Sequence, residues 1–170
     1  MSKDILELIK ARRSIRKYKP DPISEEEINK ILEAGRWAPS ADDSQPWNFI
    51  VLRSQEARKK LAGALTWGRF LSQAPLGIAV IVSPGASSHP AEDGAAATQN
   101  MLLEAHSLGL GACWIGTYGG ASEEGAKKVL NVPEDERLLS VIVIGHPAES
   151  PQKTRRELSE ITFTDSYGRR

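Results

Sequence analysis

The sequence predicts an α/β or α+β fold of three layers, with helices covering both faces of one sheet. Three observations lead there. LGIAVIV (76–82) is an almost unbroken apolar run bounded by Pro75 and by Ser83-Pro84-Gly85, the pattern of a strand buried on both faces. Three more strand-forming stretches, WNFIVLR (47–53), LGACWIG (110–116) and LLSVIVIG (138–145), are interleaved with helical patterns. The chain has 170 residues, 40% of them apolar, and no biased tract or internal repeat, which is the size of one domain spanning residues 1–170.

Ile5, Leu8 and Ile9 recur at helical spacing, so residues 3–11 make a short amphipathic helix that delivers Arg12 and Arg13 at its C-terminal end. Ser24, with Glu27 three positions later, is a capping box. The helix it opens has Ile28, Ile31, Leu32 and Trp37 as its apolar face and stops at Ala38-Pro39. After the strand at 47–53 a helix is expected over 55–65. Pro90, Glu92 and Asp93 belong in the first turn of the longest helix, 90–108, and Gly109 caps its end. Its first half, Gly94-Ala95-Ala96-Ala97, allows a close neighbour. Its second half, Met101-Leu102-Leu103 and Ala105, is too apolar to face water and belongs in a core or an interface. A short helix is expected over 122–130. After Pro147 the chain turns polar and basic through KTRRE (153–157), then ends in ITFTDSY (161–167).

Lysines and arginines number 22, as do the acids, so the chain carries no net charge. That argues against a coat for nucleic acid or an anionic membrane, both held by summed positive field. Locally the balance breaks. Residues 1–20 hold seven basic and two acidic side chains, and residues 21–46 reverse this with two and seven. Cys113 is the only cysteine, which excludes an intrachain disulfide and a tetrahedral cysteine zinc site and makes a cytoplasmic protein the default. The start MSKDILELIK lacks the apolar core of a signal peptide, and no stretch approaches the ~20 apolar residues of a spanning helix. His89, His106 and His146 form no helical metal pair, so no metal is expected. Neither GxGxxG nor a Walker loop follows any strand.

RRSIRKYK (12–19) supplies arginine forks and a hydroxyl that match phosphate oxygens. Cations at the end of a helix also complement its dipole, and basic clusters are commonly solvated surface. Lys153-Thr154-Arg155-Arg156 has the same two readings. APSADDSQPWNF (38–49) is a polar, proline-bounded loop between helix and strand, where binding residues often sit, although its residue types are ordinary in loops. The glycines of GACWIGTYGG (111–120) suit either a planar ligand lying on bare backbone or simple turns. Cys113 reads as a buried small residue or a nucleophile, with no histidine at a telling distance.

Taken in order, RRSIRKY, APSADDSQPW, QNMLLEAHSLGLGACWIG and IGHPAESPQKTRRELSEI closely resemble the nitroreductase family of FMN-dependent oxidoreductases. The likeness runs from about residue 8 to 160 and is closest to the compact members. It implies a nitroreductase-like α+β fold with a mostly antiparallel central sheet, in a domain-swapped type of homodimer with FMN at the subunit interface. By the same analogy Arg12 and Ser14 hold the FMN phosphate with Lys153 and Arg155, Arg13 lies along the ribityl chain, and Arg16 reaches the pyrimidine edge. Pro39, Ser40 and Ala41 resemble a loop that packs on the cofactor from the partner, and Trp114, Ile115 and Gly116 the segment beside the flavin ring. Larger members have a glutamate where Gly116 stands, so a backbone amide is the group expected there. The ribityl-contacting amide residue is not placed. The implied activity is hydride transfer from NADH or NADPH through FMN to nitroaromatics, quinones or similar conjugated acceptors, by a ping-pong mechanism and with no catalytic side chain beyond electrostatic support from Arg16. The alternatives are a dehalogenating or flavin-cleaving relative, or a non-catalytic flavin carrier.

Overall fold

The structure is a computed structural model that describes residues 4–169. Its sheet has four strands, β1 (Trp47–Leu52), β2 (Leu76–Val82), β3 (Gly111–Gly116) and β4 (Arg137–Gly145), in the order β1-β2-β4-β3 with every neighbouring pair antiparallel. The helices are α1 (Ile5–Ala11), α2 (Glu25–Arg36), α3 (Gln55–Ala64), α4 (Pro90–Ser107), α5 (Glu123–Leu130) and α6 (Leu158–Ile161). Lys3, where the sequence starts the first helix, lies outside the described residues.

Side-chain alternation along the strands divides the core in two. Leu76, Ile78, Val80 and Val82 of β2 face Ile28 and Ile31 of α2 and Met101, Leu102 and Ala105 of α4. Ala79 and Ile81 face Leu61 and Ala62 of α3 and Ala126 of α5. Period-2 alternation, hidden in a run apolar at every position, therefore supplies both faces of a three-layer α+β fold. In β4 the register against β2 shifts between Val80 and Ile81, so Leu139 is the extra residue of a bulge and its carbonyl accepts from Thr117 and Tyr118.

The helix ends follow local chemistry. Ser24 and Glu27 form both halves of the capping box. Gly109 (φ +81°) closes α4 in a Schellman pattern, Gly109 N–H to His106 and Leu110 N–H to Ala105. A methyl on Gly94 would stand 2.5 Å from Val82 and 2.7 Å from Leu139, so α4 presses there on sheet side chains. The apolar face of α2 needs one correction. It continues from Ile31 to the buried Gly35, packed on Met101, whereas Trp37, about 200° further round, is the C-cap and 72% exposed. Trp37 instead donates to Glu33 (2.6 Å) beneath the Arg36 guanidinium. Two 3₁₀ turns, Ala41–Asp43 and Arg69–Gln73, and the short α6 are additions to the sequence reading. No helix among the described residues is long and apolar enough to cross a membrane.

Candidate functional site

The basic segment after α1 runs along the outer edge of β3. Ser14 bridges to Ala112, and Ile15 N–H donates to the Ala112 carbonyl (3.0 Å). Gly111 permits this approach, because a methyl there would meet Ile15 at 2.8 Å. Further on, Tyr18 bridges to Pro147, so the chain leaving β4 is laid against the same segment. The two basic clusters, about 140 residues apart in sequence, thereby meet around a cavity of about 460 Å³ lined by Ile9, Lys10, Arg12, Arg13, Gln99, Lys153 and Arg155.

Five of those seven residues are cations and none is an acid. None of Arg12, Lys153 and Arg155 is paired with a carboxylate among the described residues. Partial burial, then Arg155, then Arg13 lower the pKa of the Arg12 guanidinium. Like charges crowded against a desolvated cation are costly until an anion arrives, so the donor set fits a phosphate. The members differ in what they have left to give. Arg13 spends its Nη1 on the carbonyls of Lys10 (2.5 Å) in α1 and of Arg12 (2.8 Å) at its C-cap, the helix-capping role also open to it from sequence. Ser14, bridged to Ala112, lies next to the Cys113 thiol. Burial pushes that thiol up, against the pull of Arg16, Arg12 and Ser14, so Cys113 is a buried small residue and a poor nucleophile at neutral pH.

From Ala112 to Gly116 is four residues along β3, or about 13 Å. Arg16 is exposed beside this edge, its Nη1 3.4 Å from the Ser14 carbonyl. The side chain of Trp114 is half-buried against the α2–α4 core and that of Ile115 is fully buried under Gly68, so Ile115 offers a ligand only its backbone. Gly116 is exposed, and a methyl on it would meet only the Trp114 indole nitrogen at 3.8 Å, which leaves a bare, open stretch of strand.

Pro39, Ser40 and Ala41 do not line the Arg12 cavity. They belong to a loop fixed from α4: buried Asp93 accepts from Ala41 N–H (3.0 Å) and the Ser87 hydroxyl (2.5 Å), and the Ser40 hydroxyl accepts from Gln45 N–H (3.0 Å). Asp42, Asp43 and Gln45 all have φ near +50°, a cluster of left-handed non-glycine residues of the kind that function commonly demands.

Residues 9–68 and 63–146 match the model of the nitroreductase family. The chain belongs to that family. Over 87% of its length it is 43% identical to a Methanothermobacter thermautotrophicus protein provisionally named NADH dehydrogenase/NAD(P)H nitroreductase, of which the match covers 80%. A Parabacteroides distasonis crystal structure with the same provisional name superposes with a TM-score of 0.91 at 33% identity, over 96% of this chain and 98% of that one. A Desulfovibrio desulfuricans nitroreductase, also provisionally named and crystallised with FMN, gives 0.84 at 33% identity, over 98% and 99%.

This nitroreductase-family chain also lines the basic cavity with one residue that the sequence reading did not single out. Gln99 lines the basic cavity from α4, and its signal was the polar triplet Thr98-Gln99-Asn100 set between the apolar runs 94–97 and 101–103. Thr98 and Asn100 are taken by structure, Thr98 by Gly94 and Ser140, Asn100 by Ala34, which leaves Gln99 as the amide facing the cavity.

Proposed function

We propose that this chain, as one domain of residues 1–170, binds FMN and passes hydride from NADH or NADPH to nitroaromatic, quinone or similar conjugated acceptors, one substrate leaving before the other binds. The observation that carries the reading is the meeting of two distant basic clusters, with no carboxylate in the cavity lining, beside the segment laid along the edge of β3. Arg12, Lys153 and Arg155 would hold the phosphate. Ser14 would join them with its hydroxyl, and Arg13 only by releasing the end of α1. Gln99 is the amide on hand for the ribityl chain. Trp114, Ile115 and Gly116 give the ring a backbone ledge, and the exposed Arg16 places positive charge where negative charge develops on reduction. Bound FMN would supply the hydride acceptor and donor, so the protein needs no nucleophile of its own. The chain's part is to hold, orient and electrostatically favour.

Pro39, Ser40 and Ala41 stand outside the cavity, so they serve the partner's flavin in a homodimer with the sites at the interface. Three features support that assembly: the apolar residues Ile5, Leu6 and Ile9 exposed along α1, the exposed Leu158, Ile161 and Tyr167 of the tail, and a groove of about 670 Å³ between α2 and the free edge of β1 that would receive a swapped tail. The cytoplasm is the compartment proposed.

The deciding experiment is purification followed by flavin analysis and turnover. A yellow protein that prefers FMN to riboflavin, with NAD(P)H oxidation stimulated by a quinone, is the expected result. A yellow but inert protein would favour the carrier or the specialised relative, and a colourless one that refuses added FMN would sink the proposal.

A further inference from the structure

Glu149 has no part in the reading above. It lies between the end of β4 and the second basic cluster, and its Oε1 accepts from two successive backbone N–H groups, Arg16 (2.5 Å) and Lys17 (3.2 Å). The bonds that lead up to it are ladder-like: Lys19 N–H to the His146 carbonyl (2.9 Å), the Tyr18–Pro147 bridge, and Ala148 N–H to the Lys17 carbonyl (2.9 Å). Between Glu149 and Lys153 no further hydrogen bond ties the tail to the body among the described residues. Glu149 is thus the last tie before the tail's cations, and the atoms it grips are the backbone of Arg16 itself. Its negative charge also lies within the field of the buried site, where it helps to push up Tyr18 and Cys113.

We propose that Glu149 is a positioning residue that pre-organises the phosphate half of the site, fixing the tail so that Lys153 and Arg155 stand opposite Arg12 before any ligand arrives; this rests on the flavin-phosphate reading above. A tail held in place need not be ordered at binding, and that saving appears only in ligands that carry the phosphate. Loss of Glu149 should therefore weaken FMN and leave riboflavin alone. General damage to the fold would weaken both.

The test is the ratio of FMN to riboflavin affinity in the full-length protein, by flavin fluorescence quenching. Glu149→Ala is expected to lower the ratio about tenfold, and Glu149→Gln, whose amide oxygen can accept the same two N–H groups, to stay within about twofold of native. In a background with both Lys153→Ala and Arg155→Ala, Glu149→Ala should cost nearly nothing more, because Glu149 reaches the phosphate only through those two cations. A native ratio in Glu149→Ala, or an undiminished loss from Glu149→Ala in the background lacking both cations, overturns the inference. If Glu149→Ala does not fold, Glu149→Asp, whose shorter side chain cannot reach both groups, is read by the same ratio with the same two outcomes. The two readings fail separately. A native protein that binds riboflavin as tightly as FMN ends the phosphate reading, whereas a selective native protein with a selective Glu149→Ala ends only this one.

Discussion

Arg155 and Arg12 repel one another in a cavity without a counter-charge, so the site is at odds with its own stability until it is filled. Arg155→Ala should therefore leave the ligand-free protein as stable as native or slightly more so, within about 0.5 kcal/mol, as for other exposed positions. The same change should weaken FMN about ten- to a hundredfold, the worth of one charge-assisted bond. Thermal melts with and without FMN read both at once, and a clear loss of stability in the ligand-free variant would contradict the argument. Arg16 makes a different case, because its guanidinium is exposed and lies away from the cavity lining. Arg16→Ala should keep most of its FMN but lower the flavin potential by a few tens of millivolts, since ~30 mV is 1.4 kcal/mol for a two-electron couple. Reduction by NAD(P)H should slow with it, and Arg16→Lys should stay close to native. An unchanged potential, or complete loss of flavin, would count against that placement.

Elements rather than single contacts decide what was legible. The capping box, the Gly109 cap and the apolar run of β2 were readable because each is set by neighbours within a few positions. Trp37 misled because an aromatic at the end of a helical pattern looks like core, and only the partner helix shows that Gly35 is the residue packed on Met101. Likewise Gln99 and Glu149 matter through groups over 80 and 130 positions away, which no local pattern records. The same distinction governs stability. Gly94→Ala gains about 1 kcal/mol in helix propensity, yet its methyl would stand 2.5 Å from Val82 in the α4–sheet layer. Overpacking of about 1–3 kcal/mol should outweigh the gain, and a denaturant midpoint below native is the expected measurement. At the other face, buried Glu123 joins α5 to β4 through Arg137 (2.7 Å), Gly119 N–H (2.6 Å) and Leu138 N–H (3.2 Å). Burial works to raise its pKa, but those partners hold it below the usual carboxylate value. A lowered folded pKa means a contribution complete above the ordinary glutamate range and lost as pH falls through the folded value. Glu123→Gln should therefore be less stable than native at pH 7 and approach it in strong acid. A stability gap independent of pH would refute this.

At the scale of the whole molecule, the chain exposes apolar surface that a monomer has no use for. Ile5 (72%), Leu158 (74%) and Tyr167 (94%) lie at its two ends, and the free edge of β1 adjoins the groove beside α2. An unpaired strand edge is a liability unless something covers it, and a partner's tail is the cover proposed here. The same tail carries Lys153 and Arg155, while the loop with Pro39, Ser40 and Ala41 stands outside the lining of its own cavity. Assembly and flavin binding should therefore be linked, each stabilising the other by mass action. A double substitution on the exposed face of α1, Ile5→Glu with Leu6→Glu, introduces charge where burial between subunits is expected, disturbs no buried residue of the chain itself and leaves the lining of the basic cavity unchanged. Sedimentation should show a native dimer at micromolar concentration and a substituted protein that dissociates at higher concentration. FMN should be released over the same range, and excess FMN should shift the equilibrium back toward the dimer. A native monomer that binds FMN stoichiometrically would break the link, for it would show that one chain completes the site alone.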